Sequence, residues 1–504
     1  MKTTGDQVTI NGHPYTLGEK LGGGVEGAVF VCQERPEFVI KLIYPRALPF
    51  TEVRKLKEHI LWLKNTIGVN NELRNKLASP KGILDDDDIG YIMIRTQGYD
   101  SLSNYTVVPQ NVDFETFYKV NYKLKKRLQI ISFLFHALEL IHISGLLFTD
   151  LSPNNIMVHP EKNSLIFIDT DNMRRKKDAY LSVLGTPGYM APEIYIGCEE
   201  HDKKLLDAGM PEEVFPRSGR LSAESDVFSA AIIAFQLLTY QHPFVGDAVE
   251  DGTAEEESAA LRCETDYILH ENGSNLSSTP FVKAFDECKI VTNKIKQLFY
   301  RTFVDGKNDP NLRPLAIEFV EAFDEAQDML TTCNTCGADV IFSLEEDNFC
   351  WDCENRLGTR VVLGIFNKFA ETSRDKLVAE ILGDEPFAEN GNESAYQLVS
   401  TVLLDENKSR YLYLRHFERT NNRSRYFAKI TLTDNISNTV RLQILDTTVI
   451  VACYLIDRKT RGIRIAVQDI QKAQEFNYEH YDILFDVMDS RVGKIQTIGR
   501  ISRK

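Results

Sequence analysis

The sequence predicts an α+β fold in two lobes, followed by a small cysteine-knuckle module and a β-rich C-terminal domain. Three observations predict it. Strand-like runs around a glycine-rich turn fill roughly the first hundred residues, and longer helix-patterned runs fill about 101–330. Two C-x₂-C pairs then precede a series of alternating, strand-like runs after residue 358. At 504 residues the chain has room for two to four domains. Its 43% hydrophobic and 26% charged residues suit a globular chain that buries more than one core. No apolar run reaches membrane-spanning length and the first residues hold no signal-peptide core, so a cytoplasmic protein with no membrane contact is expected. A formal charge of −15 argues against general binding to nucleic acid or anionic lipid. Nine cysteines, an odd number, do not suggest a secreted disulfide framework. Cys32, Cys198, Cys263, Cys288 and Cys453 are scattered and read as core or surface residues.

Val8–Ile10 and Tyr15–Leu17 read as the first strand pieces. From Leu21 to Val29, glycines at Gly22, Gly24 and Gly27 followed by Val29 match G-x-G-x-x-G-x-V between two strands. Backbone N–H groups can close on phosphates where side chains are missing, although a glycine-rich hairpin turn explains the same pattern. Twelve residues on, Lys41 sits inside the apolar strand Phe38–Ile43. An ammonium there must be paired or near solvent. It is either an edge lysine pointing outward or a lysine reaching the α/β-phosphates of a nucleotide. Thr51 to Asn65 is helical by spacing, with Thr51 as N-cap. Glu58 is the favoured carboxylate to pair with Lys41, Glu52 is its rival, and either one can be a solvated helix glutamate. Ile83 to Arg95 reads as a hairpin whose tip, Asp85 to Gly90, is a solvated turn.

Gln97 to Asp113 is loop-like, and Phe114 to Tyr122 and Leu124 to Ser144 are helical by pattern, ending at Gly145. The stretch from Phe148 to Asn155 follows. Asp150 and Asn155 lie five apart in a loop, ahead of a hairpin made by Ile156–Val158 and Leu165–Ile168, and Asp169 stands at its end. One acid to orient a hydroxyl, with an amide and a second acid to hold Mg²⁺ on a nucleotide, is the layout of phosphoryl transfer. Next come Gly185-Thr-Pro-Gly-Tyr189 and Ala191-Pro-Glu193, a string that no packing rule demands. Asp226 opens an apolar helix, where it caps the helix or ties down the catalytic loop. Gly246 to Pro280 reads as an acidic surface insertion, Ile290 to Phe303 as a helix, and Leu315 to Leu330 as the last one. Arg313 is a candidate partner for Glu193.

In this order the pieces resemble the eukaryotic-like protein kinase fold over residues 1–330, with an N-lobe of about 1–100 and a C-lobe of about 101–330. The resemblance implies ATP and Mg²⁺ as cofactors and a protein substrate. It makes Asp150 the base that orients the hydroxyl, Asn155 and Asp169 the Mg²⁺ ligands, and Lys41 the phosphate contact, with Glu58 as its partner. Leu21, Gly22, Gly24, Gly27 and Val29 would cover the nucleotide. The string from Val227 to Phe244 and the cysteine-rich tail are similar to bacterial kinases encoded beside von Willebrand A-type proteins and metal-dependent serine/threonine phosphatases, which implies these two as partners. The chain departs from the family at three points. Phe148-Thr149 precedes Asp150 where His-Arg is usual, so activity need not require loop phosphorylation. Ser152 stands where a lysine usually helps the γ-phosphate. Asp169-Thr170-Asp171 replaces Asp-Phe-Gly, and Asp171 adds a further acid that can meet metal. Gly185–Tyr189 resembles the serine/threonine form of the substrate-side loop. Tyr180, Ser182 and Thr186 are the loop hydroxyls, with Ser182 the expected autophosphorylation site.

Cys333, Cys336, Cys350 and Cys353 form C-x₂-C-x₁₃-C-x₂-C, and Val340–Phe342 supplies a strand between the pairs. Four thiolates so spaced suit a structural Zn²⁺ with every position filled by protein, hence a zinc ribbon over 331–357. Residues 358–504 form the β-rich accessory or recognition domain. Its expected helices are Arg360–Leu382 and Ala466–Phe476. Its expected strands are Tyr396–Leu404, Arg410–Phe417, Tyr426–Leu432, Val440–Leu445 and Thr448–Tyr454. His416 and His480 read as isolated structural or surface histidines. The expected activity is that of a serine/threonine protein kinase in a regulatory system. A weak or inactive nucleotide-binding scaffold is the alternative, and the Gly185–Glu193 loop argues against a small-molecule kinase.

Overall fold

The structure is a computed structural model. It describes all residues except 1, 24–26, 45–49, 86–87, 110–111, 113–116, 118–122, 163, 177–184, 198–202, 204–220, 345–347, 369–395, 414–415, 417–425, 447–449, 460–462, 467–472 and 490–492. The chain divides into two compact units, residues 1–288 with 293–323 and residues 289–292 with 324–504. Among the described residues no helix is long and apolar enough to cross a membrane.

The first unit begins with a six-stranded antiparallel sheet. Its strands are β1 (Gln7–Ile10), β2 (His13–Gly23), β3 (Gly27–Cys32), β4 (Phe38–Ile43), β5 (Gly82–Ile83) and β6 (Ile89–Ile94), in the spatial order β1-β2-β3-β4-β6-β5. The glycine-rich stretch is the hairpin between β2 and β3, where Gly22 pairs with Val29. Gly27 serves the sheet as well as the turn, since a Cβ there would meet the Leu42 carbonyl oxygen of β4. Residues of β4 alternate between two cores, as successive strand side chains must. Ile40 and Leu42 join Val8, Leu17 and Phe30 on one face, and Val39 joins Ile60, Tyr91 and Met93 on the other. Lys41 lies on this second face by the same alternation. Ile60 belongs to helix α1 (Phe50–Gly68), which buries Ile60, Leu63 and Ile67. The helix therefore begins before Thr51, the expected cap. The Asp85 carboxylate accepts the N–H groups of Asn11 and Gly12, so this acid of the expected solvated turn stitches the β1–β2 turn to the β5–β6 hairpin.

The helical lobe is built on α2 (Leu124–Ile143) and α3 (Ala223–Thr239), the latter buried from Ser225 to Thr239. Gly145 ends the helical stretch at φ +75°, a left-handed conformation that favours glycine. Buried Arg127 of α2 joins the pair by donating to the Leu237 carbonyl oxygen and the Tyr240 hydroxyl of the other helix and its cap. The stretch from Gly246 to Pro280, expected as a surface insertion, is part of the lobe. It carries helix α4 (Ala254–Leu261), buries Cys263, Tyr267 and Ile268, and is fastened by Asn275, whose Nδ2 donates to the carbonyl oxygens of Phe244 and Asp266. Its acidic side chains cluster on the exposed face of α4, which hides the buried pattern in composition. Helices α5 (Pro280–Asp286), α6 (Asn293–Tyr300) and α7 (Ala316–Asp328) complete the lobe, with Phe135 of α2 stacked on Phe319 of α7 at 4.2 Å. Of the expected helix Phe114–Tyr122, only Phe117 falls within the described residues, and it is buried.

Short strands position the loops. These are β7 (Asp100–Ser101), β8 (Leu146–Leu147), β9 (Ile156–Val158), β10 (Leu165–Phe167) and β11 (Arg174–Arg175). The expected hairpin of β9 and β10 pairs Ile156 with Phe167, and β11 pairs with β8.

The second unit is almost entirely β. Strands β12 (Leu330–Thr332) and β13 (Asp339–Ile341) pair beside the cysteines. Then follow β14 (Val361–Lys368), β15 (Tyr396–Leu404), β16 (Ser409–Tyr413), β17 (Tyr426–Asp434), β18 (Thr439–Ile444), β19 (Ile450–Asp457), β20 (Ile463–Ala466), β21 (Gln474–Asn477), β22 (Tyr481–Asp489) and β23 (Gly493–Arg503). They form a six-stranded sheet, β15-β14-β23-β22-β19-β20, and a four-stranded sheet, β16-β17-β18-β21. The fold corrects two expectations from the sequence. The helix expected from Arg360 begins instead as strand β14, with residues 369–382 outside the described residues. Both faces of β14 are buried, which makes a continuous apolar run that helix spacing also fits. Val361, Leu363 and Ile365 face the core shared by the two sheets, and Val362 and Phe366 pack with Cys333, Cys350 and Phe342. The helix expected over Ala466–Phe476 has strands at both ends, with 467–472 outside the described residues. His416 is structural, as expected: it is fully buried, and its Nδ1 accepts the Tyr413 N–H while its Nε2 lies 3.0 Å from Asp328 Oδ2.

Candidate active site

The loop after β8 is fixed from three directions before any substrate arrives. Asp226, in the first turn of α3, accepts the backbone N–H groups of Phe148 at 2.9 Å and Thr149 at 3.1 Å, and its Oδ2 lies 3.0 Å from His142 Nε2. It thus ties down the loop, the second of the two roles its position allowed. Thr149 adopts φ +74° and its hydroxyl donates to the Asn172 carbonyl oxygen at 2.7 Å. Ile168 N–H donates to the Asn155 carbonyl oxygen at 2.9 Å, so the loop and the end of the hairpin are laced together.

Within this frame the Asp150 carboxylate is oriented through both oxygens. Oδ1 accepts the N–H of Thr186 at 2.9 Å and its hydroxyl at 2.7 Å, and Oδ2 accepts Asn155 Nδ2 at 3.1 Å. Asn155 Nδ2 also donates to the Asp150 carbonyl oxygen at 2.9 Å, so both of these bonds use the amide nitrogen and neither uses the amide oxygen. In sequence Thr186 reads only as a loop hydroxyl, and its partnership with Asp150 has no signal in spacing because 36 residues separate them. Ser152 is buried with no hydrogen-bond partner for its hydroxyl among the described residues.

Asp169 follows β10 in the left-handed region at φ +55° and starts a tight turn, Thr170–Asn172. Lys41 Nζ reaches this turn. It lies 3.2 Å from Asp169 Oδ1 and 2.8 Å from Asp171 Oδ1. Val29 is the cross-strand neighbour of Lys41 on β3, and Tyr91 is its neighbour on β6. The Tyr91 hydroxyl donates to the same Asp171 oxygen at 2.8 Å. Burial alone pulls the lysine down, but the carboxylates of Asp171 and Asp169 overcome it and hold Lys41 above the ordinary lysine value. Asp171 is pushed up by burial and pulled further down by Lys41, so it stays ionised. The expected pair of Lys41 with Glu58 is not formed. Glu58 is 61% exposed on the outer face of α1 and binds Arg54 at 2.9 Å, one helical turn away. The side chain of Glu52, its rival, lies outside the described residues. Gly22 and Leu21 are exposed at the end of β2, and Gly24, Tyr180 and Ser182 also lie outside the described residues.

On the substrate side, Arg313 and Glu193 form the expected pair, a two-pronged one at 2.7 and 2.8 Å. The arginine also donates to the carbonyl oxygens of Gly306 and Glu224 and is buried against the Phe228 ring.

The donor set fits a nucleotide and a hard divalent cation. An ammonium stands beside a carboxylate that is 40% exposed, Asp169, and an oxygen ligand of this kind suits Mg²⁺. In the second unit, the sulfurs of Cys333, Cys336, Cys350 and Cys353 lie within 4.8 Å of one another. Cys333 and Cys353 are 3.7 Å apart and Cys336 and Cys350 are 3.5 Å apart. Four thiolates about 2.3 Å from a tetrahedral Zn²⁺ stand roughly 3.8 Å from one another, so the cluster fits that ion.

Comparison with known proteins agrees with this geometry. Residues 15–333 match the family model described as protein kinase domain. Calcium-dependent protein kinase 25 of Arabidopsis thaliana is 24% identical over 249 residues, 47% of this chain and 40% of that protein. Calcium-dependent protein kinase 2 of the same plant is 25% identical over 289 residues, 56% of this chain and 37% of that protein. Myosin light chain kinase 3 of Danio rerio is 27% identical over 253 residues, 48% of this chain and 29% of that protein. The chain thus spans two fifths or less of the length of these relatives.

Proposed function

Because this chain belongs to the protein kinase family, we propose that it is an ATP- and Mg²⁺-dependent serine/threonine protein kinase that phosphorylates protein hydroxyls, its own included. The observation that carries the reading is the Asp150 carboxylate, held through both oxygens by Thr186 and Asn155, together with the Lys41–Asp169 pair. In this reading Asp150 accepts the proton of the attacking hydroxyl and orients it in line. Asn155 and Asp169 would hold Mg²⁺, and the ion would supply positive charge to the nucleotide phosphates. Lys41 binds the nucleotide phosphates, and Leu21, Gly22, Gly24, Gly27 and Val29 cover them. The serine/threonine preference is supported by the resemblance of the Gly185–Tyr189 loop to the serine/threonine form.

The same proposal divides the chain into a kinase domain over 1–330, a zinc ribbon over 331–357 and a β-rich recognition domain over 358–504. The sulfur spacing supports a structural Zn²⁺ on Cys333, Cys336, Cys350 and Cys353. The proposed setting is the cytoplasm. The proposed partners are a protein substrate, a von Willebrand A-type protein and a metal-dependent serine/threonine phosphatase, by resemblance to the bacterial kinases that such proteins accompany.

One observation favours a second reading, a nucleotide-binding scaffold with little or no turnover: Ser152, where the family usually has a lysine, is buried with its hydroxyl unpaired. Titration with a fluorescent ATP analogue, with Mg²⁺ and with EDTA, tests the metal assignment. The expected outcome is Mg²⁺-enhanced binding that Asp169→Asn removes. Binding indifferent to both Mg²⁺ and Asp169 would exclude Asp169 as a metal ligand.

A further inference from the structure

Lys41 is a largely buried cation that needs a fixed counter-charge, and Glu58, the helix acid favoured to supply one, does not. Glu58 points to solvent and binds Arg54. Where α1 meets the site it presents His59 instead. Arg174 donates to His59 Nε2 at 2.9 Å and to the carbonyl oxygens of Asp171 at 3.2 Å and Met173 at 3.0 Å, so the helix grips the backbone of the turn rather than the lysine.

The counter-charge comes from the turn itself. Asp171 stands two residues after Asp169, its side chain is 11% exposed, and its Oδ1 takes both Lys41 Nζ and the Tyr91 hydroxyl at 2.8 Å. Lys41 and Tyr91 are directly opposite on β4 and β6, so the two donors converge on one oxygen from adjacent strands. A Cβ at Gly90 would meet the Lys41 carbonyl oxygen, so the missing side chain lets β6 close on the lysine's strand. Asp169, by contrast, is 40% exposed and accepts the same ammonium at 3.2 Å. The two acids of the turn differ in accessibility, with one open toward a metal and the other enclosed against the sheet.

We propose that Asp171 is the positioning residue that anchors Lys41, so that the phosphate-binding lysine is held from the metal turn and not by Glu58 of helix α1. The inference rests on the kinase reading above and refines it. The metal acid precedes the turn that carries the anchor, so the placement of Lys41 is coupled to that of Asp169 and is independent of Glu58 on α1. Asp171 is then no Mg²⁺ ligand, although the sequence allowed it to be one.

A double-mutant cycle tests the anchor on the full chain. Lys41→Met and Asp171→Asn should each lower the melting temperature by about 4 °C or more, because each takes the nearest opposite charge from a largely buried one. The double variant should lose no more than the worse single one, while Glu58→Gln should add independently to Lys41→Met. In transfer assays Asp171→Asn should lower kcat about tenfold or more, with the Mg²⁺ concentration for half-maximal rate unchanged within about twofold. Additive melting shifts at 41 and 171 would overturn the proposal. So would turnover restored by high Mg²⁺, or full turnover in Asp171→Gly. If the wild type transfers nothing, the kinase reading fails and affinity for MgATP carries the comparison. A loss of about tenfold in Asp171→Asn, with no further loss in the double variant, would still support the anchor, and unchanged affinity would overturn it.

Discussion

His242 is held in one protonation state by its hydrogen bonds. Its Nε2–H donates to the Gly188 carbonyl oxygen at 2.8 Å, and its Nδ1 accepts the Phe244 N–H at 3.3 Å. A second proton would face an N–H group. Burial accordingly pushes its pKa down from 6.5 to about 4. The unfolded chain takes up this proton first. Stability from His242 is therefore complete above about pH 6.5 and is lost as the pH falls toward about 4, by at most about 3 kcal/mol. Chemical denaturation at pH 7 and pH 4.5 should show a loss that His242→Gln reduces, and an equal loss in both proteins would remove His242 as the cause. Such residue-level facts were only partly legible in the sequence. Asp150, Asn155 and Asp169 were, because their short spacings place them on one loop and one hairpin end. The partner of Lys41 was not, because 130 residues separate it from Asp171 and only the packed sheet brings them together.

Among the elements, the substrate-side loop is fastened to the turn ahead of α7 by Arg313 and Glu193. The arginine fork matches the carboxylate in a way that lysine cannot. Removing it also strands the Gly306 and Glu224 carbonyl oxygens. Arg313→Ala should cost about 3 kcal/mol in urea unfolding, with Arg313→Lys between it and the wild type. A loss in Arg313→Ala below about 1 kcal/mol would mean that the pair is merely a surface contact. Strands of the first lobe were legible because they alternate or are bounded by glycine. The start of β14 was not, since a strand buried on both faces has no polar side to mark its period. Strands β21 and β23 escaped notice for a different reason. Their register is set in part by pairing with β18 and β14, partners distant in sequence.

In the whole molecule, two units each enclose a core of their own, and the cysteine cluster belongs to the second. Cys333 and Cys350 are part of the apolar cluster formed with Val362, Phe366 and Ile498, so a metal held there would brace one face of the six-stranded sheet. Metal analysis should find one zinc per chain. Scanning calorimetry should show two transitions, of which strong chelation or Cys350→Ser lowers one and leaves the other in place. A chain without zinc, whose transitions ignore chelators, would remove the metal from the account.

The proposed reaction is phosphoryl transfer from ATP to a hydroxyl oriented by Asp150. The most direct measurement incubates purified chain with radiolabelled ATP and Mg²⁺, wild type beside Asp150→Asn, and follows label on the chain and on a generic protein substrate. The account predicts label with the wild type and a rate lower by about 10²–10⁴-fold in the variant, with nucleotide still bound. Equal labelling in both would contradict Asp150 as the base, and no labelling in either, with nucleotide bound tightly, would contradict the kinase reading in favour of the scaffold.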